Sequence, residues 1–476
     1  MNLNRKSILT LVFLLAGFIK TFGQQSISNT EINVMPTKYA IVFYANEAIK
    51  HTGQNSLMAA HWVNKGGGTF TWEKAMPESG NYEVRICYGE KKPGTTLMIS
   101  VGKDSLIANL AVTSGYYPAG STEWSTVNFE RKQLQGSLHL NEGTNEITVK
   151  LTGNNETDLY SIELLPISKK SLAAADLAKA QKAKPDAKWF ANSGYGVMFH
   201  WTSQSAPKSG PVKPYAEAVN GFDVGKFVKM VQKTGATYVI FTTNHAEPYF
   251  PAPLKNWEHE YPGHTTSRDL ILEIADSLGQ HNIKLILYMA THVYAKFNKV
   301  DDNEFERLNR TLLSEIGERY KNKVAGYWLD GWYQCAAIHP SFDFEKFYKT
   351  CKIGNKDRLL CLNSWAYPTV SPWQDYWSGE DYTIGNPASD QILTHGPGTG
   401  LQAQSLIVME KDDWLHTAVN KPTKSPDLNP DELAKFIQEQ QGKGPVTINI
   451  QIYQDGTISD EALNVMESVK KHVAEK

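Results

Sequence analysis

The feature that most constrains this chain is a series of eight short apolar runs beyond residue 189. They read "GVMFHW" (196–201), "YVIFTT" (238–243), "KLILYM" (284–289), "AGYWLD" (325–330), "LLCLNS" (359–364), "DYWSGE" (375–380), "SLIVME" (405–410) and "PVTINI" (445–450). Amphipathic helix patterns separate several of them, such as "SRDLILEIADSLGQHN" and "DDNEFERLNRTLLSEIGERYKN". Strands that alternate with helices form a parallel sheet, because each crossover needs a connection about as long as a helix. Eight of them within 189–476 predict an α/β fold, a (β/α)8 TIM barrel. The barrel is expected to be irregular between its fifth and sixth strands, where too few residues remain for a helix.

The preceding residues have a different rhythm. In 30–167, runs such as "GNYEVRICYG", "TTLMISVG" and "NEITVKLTG" alternate apolar and polar residues between Gly and Asn turns. That pattern predicts an all-β sandwich. Its ending, "LHLNEGTNEITVKLTGNNETDLYSIELLPI", resembles the last strands of jelly-roll carbohydrate-binding modules. Tyr116, Tyr117 and Trp124 are candidates to stack on sugar rings, though the sandwich could equally brace its neighbour. Residues 168–188 are rich in Ala and Lys and read as a solvated helical linker.

Residues 1–23 read as a signal peptide: Arg5 and Lys6, then the apolar run "ILTLVFLLAGFI". Export to the periplasm or the outside is expected, with no membrane insertion after cleavage. A net charge of −2 gives no reason to expect a nucleic-acid partner. Cys87, Cys335, Cys351 and Cys361 follow no metal or redox spacing, so buried thiols are expected.

Chemistry in such barrels sits at the C-terminal strand ends. Five of the runs end on or near a polar group: His200, Asp330, Ser364, Glu380 and Glu410. Glycoside hydrolysis needs two carboxyls, one attacking the anomeric carbon or activating water and one protonating the leaving oxygen. Asp330 is the nucleophile candidate, ahead of a turn at Gly331. Glu380 is the first choice for acid/base, Glu410 the second, and Asp381 and Glu247 are weaker options. Trp328, Trp332 and Tyr333 are candidates to shape an apolar floor against which a sugar face stacks. His200 and His245 suit sugar hydroxyls, since a neutral imidazole both donates and accepts. No metal or organic cofactor is expected: no ligand spacing, no phosphate-binding loop and no serine-hydrolase elbow is present.

In order along the chain, "KWFANSGYGVMFHW", "FDVGKFVKMVQKTGATYVIFTTNHAEPY", "TTSRDLILEIADSLGQHNIKLILYMA", "VAGYWLDGW" and "GKGPVTINIQIYQDGTIS" resemble segments of the glycoside hydrolase family 29 α-L-fucosidases. The resemblance implies a retaining exo-glycosidase that takes terminal α-linked L-fucose from an oligosaccharide or glycan. It makes Asp330 the nucleophile and His200, Trp201 and His245 sugar contacts; Glu247, just past His245, is a further substrate-binding candidate. Departures are visible: His245-Ala246 replaces a His-His pair, Glu247-Pro248 an Asp-Gly, Thr202 a glycine, and no Trp-Glu pair follows Asp330. A relative acting on another α-linked sugar, or a glycan-binding protein on a decayed barrel, is the alternative.

Overall fold

The computed structural model describes residues 26–475, apart from 29–31, 53, 56–61, 66, 114–128, 154–155, 381–383, 385–386 and 411–412. The leader at 1–23, Tyr116, Tyr117, Trp124 and Asp381 therefore lie outside the described residues.

Two sheets occupy residues 26–166. One has the order Ser26–Ser28, Asp104–Asn109, Thr96–Val101, Gly143–Thr152, Gly68–Met76, Lys50–His51. The other is built on Glu130–Leu140, Gly80–Glu90 and Glu156–Pro166, all antiparallel. Alternation turns Ile147, Val149 and Leu151 inward while Glu146 and Lys150 stay exposed. From the facing sheet come Tyr82, Val84, Ile86 and Tyr88, and all join one core.

The helix Lys170–Ala183 is exposed along most of its length, yet it also docks on its neighbours. Ala180 is buried in the barrel's core cluster. Lys179 pairs with Glu345 at 2.6 Å, and Asp176 with Lys38 at 3.4 Å. Small alanines let this helix dock closely, whereas composition showed only its charged face.

Seven parallel strands follow: β1 Tyr195–Phe199, β2 Tyr238–Asn244, β3 Lys284–Ala290, β4 Val324–Asp330, β5 Leu359–Leu362, β6 Ser405–Val408 and β7 Val446–Asn449. Their order across the sheet is β5-β4-β3-β2-β1-β7-β6. The eighth expected strand, 375–380, does not form. Its backbone makes only a bridge between Tyr376 and Gln402. Its hydrogen bonds nevertheless reach both edge strands: Asp375 N–H donates to Leu360 O (2.8 Å) and Leu406 N–H to Gly379 O (2.8 Å). Asp375 also accepts from Leu360 N–H and pairs with Lys352, so its side chain takes a role that ladder hydrogen bonds usually fill.

Strand parity sorts the core into two layers. Met198, Ile240, Ile286, Trp328, Cys361 and Leu406 face the interior. Val197, Phe199, Val239, Phe241, Leu287, Leu329 and Ile407 face the helices. Those helices start on side-chain caps: Asp223, Asp269, Asp301, Asp343, Asn429 and Ser459 each accept a backbone N–H of the first turn.

Candidate active site

Asp330 is the last residue of β4 and is partly exposed. Gly331 follows at φ +85°, a left-handed conformation that suits glycine, and caps the helix Trp332–Ile338. Three donors converge on the Asp330 carboxylate. Tyr288 Oη–H donates to Oδ2 at 2.7 Å, and Gly331 N–H and Asn363 Nδ2–H each donate to Oδ1 at 2.8 Å. Asn363, buried just past β5, also donates from Nδ2 to Glu380 Oε2 at 2.6 Å. Its Oδ1 accepts Trp365 N–H at 2.9 Å, which fixes the amide with nitrogen toward the two acids. One nitrogen therefore ties Asp330 to Glu380. The 2.8 and 2.6 Å bonds laid end to end leave their nearest oxygens no more than 5.4 Å apart.

Around this pair lie groups held in their neutral forms. Burial, reinforced by Asp330, raises the Tyr288 phenol, so it remains a donor. Tyr333 is raised by the same two causes, with a contribution from Glu380. Burial, with help from His245, pushes His200 down to about 3. Its Nδ1 faces Asn449 Oδ1 at 2.8 Å, and Asn449 Nδ2–H donates to Trp414 O at 3.2 Å. With the Asn449 nitrogen committed, Nδ1 carries the proton and Nε2 is left as an acceptor. His245 is lowered by burial against the opposing charge of Asp330. The rings of His200 and His245 pack against Tyr288 at 4.9 and 6.1 Å. The Nδ1 atoms of His245 and His292 are enclosed and have no hydrogen-bond partner among the described residues.

The structure thus brings Asp330, Glu380, His200 and His245 together, and adds Tyr288, Asn363, His292 and Trp414, which the sequence reading had not singled out. It removes others. Trp201 is one residue out of phase with His200. It points into the helical shell against Phe222 and Phe241 and donates Nε1–H to Gln454 O, so it is a packing residue. Trp332 is fully buried among Phe305, Phe342, Phe344 and Phe347, a packing residue like Trp201. Trp328, two residues before Asp330, is the register partner of Tyr288 on the neighbouring strand, stacked on its ring at 5.1 Å and 1 % exposed, a support for the site rather than its surface. Glu410 is wholly enclosed and accepts Gln451 N–H at 3.1 Å; among the described residues no hydrogen bond joins it to Asp330 or Asn363. Glu247 is exposed and hydrogen-bonded to Ser203 Oγ, away from the carboxyl pair.

Two acids joined at the C-terminal ends of a parallel α/β sheet are the equipment of a barrel-type glycoside hydrolase. Comparison with known proteins gives that class a family. The α-L-fucosidase family model matches residues 213–476, more than half the chain, and the chain belongs to this family. It is 20 % identical over 275 residues to a putative α-L-fucosidase of Caenorhabditis elegans, covering 48 % of this chain and 53 % of that one. It is 24 % identical over 242 residues to the tissue α-L-fucosidase of Bos taurus, covering 42 % and 50 %. The chain thus spans about half the length of the curated relatives it matches. A solved family 29 α-L-fucosidase of Bacteroides thetaiotaomicron aligns at 17 % identity and TM-score 0.45, over 60 % of this chain and 72 % of its own.

Proposed function

We propose that this chain is an exported retaining exo-glycosidase that releases terminal α-linked L-fucose from glycans. The observation that carries the reading is the shared amide: Asp330 and Glu380 both accept from Asn363 Nδ2. Retaining glycosidases hold their two carboxyls about 5–5.5 Å apart, and inverting ones about 6.5–9.5 Å, to admit a water. An oxygen separation of at most 5.4 Å leaves little room for that water and favours direct attack.

In this reading Asp330, oriented by Tyr288 and Asn363, attacks the anomeric carbon. Glu380 gives its proton to the departing glycosidic oxygen, forming an ester between Asp330 and the sugar. Glu380 then takes a proton from water as that water displaces Asp330 and releases the sugar. Two inversions give net retention. His200 Nε2, left as an acceptor, suits a sugar hydroxyl, as do His245 and His292, since enclosed polar atoms without a partner among the described residues seek ligand partners. The names of the family relatives supply fucose, and the apolar segment after Arg5 and Lys6 supports export. A second reading, another α-linked sugar, is favoured by exposed Ala246 and Glu247, where the family resemblance leads one to expect histidine and aspartate.

The test is hydrolysis of 4-nitrophenyl α-L-fucoside beside a panel of other nitrophenyl glycosides. Azide distinguishes the roles of the two acids. With Glu380→Ala, azide captures the glycosyl-enzyme and gives the α-azide; with Asp330→Ala it attacks the substrate directly and gives the β-azide. Identical azide products from both variants, or full turnover by Asp330→Ala, would remove the assignment. Release from another sugar alone would select the second reading.

A further inference from the structure

The turn that follows Asn363 rests on the β-sandwich. Tyr367 is buried between domains: Phe129 stacks on it with centroids 5.2 Å and planes 15° apart, and Tyr160 lies 5.0 Å away. Phe129 N–H donates to Ala366 O at 3.2 Å. Arg131, paired with Glu163 through Nε, donates from Nη1 to Thr369 O at 2.9 Å. Tyr367 also stacks on Tyr333, three residues after Asp330, at 5.8 Å and 21°. Backbone and hydroxyl bonds close the turn: Tyr367 N–H to Ser364 O at 3.0 Å and Ser364 Oγ–H to Tyr367 O at 3.1 Å. Within it Trp365 sits at φ +49° while its N–H holds the Asn363 carbonyl.

An interface between domains of one chain is usually polar and free to shift. This one is a buried aromatic stack that ends one short turn from the paired acids. A bulky residue with positive φ costs roughly 1–3 kcal/mol and persists only where its surroundings over-determine it. Here the surroundings include the sandwich.

We propose that the β-sandwich is a working part of the catalytic centre: Phe129 is a positioning residue that, through Tyr367 and the 364–367 turn, holds the Asn363 amide between Asp330 and Glu380. What the positioned pair does rests on the function proposed above. The coupling itself rests on the stack alone.

Two variants of the full chain, Phe129→Ala and Phe129→Leu, test it with two readouts. The first is amide hydrogen exchange across 364–369, expected to rise at least about 10-fold in the alanine variant while the seven barrel strands keep their protection. The second is the pH profile of glycoside hydrolysis. Other titratable groups facing the pair are His200, Tyr288, Tyr333, His245, His292, Cys335 and Cys361. Burial keeps the tyrosines and cysteines protonated and His200 and His245 neutral near pH 7. Asn363 stabilises the ionised acids by donating to them, so a loosened amide moves both limbs of the bell toward higher pH. We expect that alkaline move with kcat down about 10–100-fold, the scale of a misplaced catalytic group. Leucine, which refills most of the volume, restores both readouts, whereas a mere loss of folded enzyme would lower the rate without moving the profile. Wild-type exchange at 364–369, or a wild-type pH profile, in Phe129→Ala overturns the proposal. If the wild-type chain cleaves no glycoside, the functional reading fails and the exchange readout still decides the coupling.

Discussion

Gly331 lies so close to His292 that a Cβ at position 331 would stand 2.5 Å from His292 Nδ1. The same residue holds φ at +85° and gives its N–H to Asp330. Gly331→Ala therefore meets two penalties. The left-handed backbone costs a non-glycine residue about 1–2 kcal/mol, and the imidazole must move as well. We expect a stability loss of about 1–3 kcal/mol in chemical denaturation, with hydrolysis falling further than stability explains. Retained turnover would show that the peptide after Asp330 needs no fixed geometry.

Tyr288 is the side-chain donor that Asp330 does not share with Glu380. Removing the hydroxyl in Tyr288→Phe keeps the ring that stacks on Trp328. A hydrogen bond to a charged group is worth about 1.5–3 kcal/mol, so kcat/KM is expected to drop about 10–100-fold with little change in melting temperature. A melting temperature that falls in step with activity would mark Tyr288 as packing alone.

Trp332 and Trp201 separate packing from recognition. Truncation of a buried Trp typically costs about 3–5 kcal/mol. Trp332→Ala is expected to lose that in stability, while Trp332→Phe, smaller but still an aromatic ring among these phenylalanines, leaves KM within about two-fold of wild type. A KM rise in the phenylalanine variant would return Trp332 to the sugar pocket.

Much of this arrangement was legible in strand parity. Along β1 the inward residues are Met198 and then His200, which puts Trp201 outside. Along β5 the inward residues are Leu359 and Cys361, and the next in phase is Asn363, not Ser364. The same count along β3, through Ile286, reaches Tyr288. Applied strictly, period two would have found the amide and the phenol that hold Asp330 and rejected Trp201. It fails at His245. The β2–β3 register shifts between Thr242 and Asn244, and that extra residue carries His245 onto the interior side. Nor does any periodicity reveal Glu380, which follows an irregular segment rather than a strand, or the stack from Phe129 to Tyr333, whose two ends lie more than 200 residues apart in sequence.

Glu410 offers a pH test that also separates the two candidate acids. Its Oε2 accepts Gln451 N–H, its Oε1 has no partner, and burial, with a smaller push from Asp413, raises the carboxyl to about 8. A carboxyl raised in the folded state binds its proton more tightly there than in the unfolded chain. Its contribution to stability is then fully present below the ordinary value of 4.5, is lost as pH climbs from there through about 8, and is flat above. The wild-type chain is expected to lose on the order of 3–4 kcal/mol from this one group between pH 5 and pH 9, read from urea midpoints. Glu410→Gln, which keeps the shape and cannot ionise, should flatten that slope and be relatively most stabilising at pH 9. Because the side chain is enclosed and bonded to Gln451, the same variant should hydrolyse glycosides with an unshifted pH profile, whereas Glu380→Gln should lose the alkaline limb. Parallel urea curves for wild type and Glu410→Gln would mean the carboxyl is already ionised in the folded protein. A lost alkaline limb in Glu410→Gln would make it, and not Glu380, the proton donor.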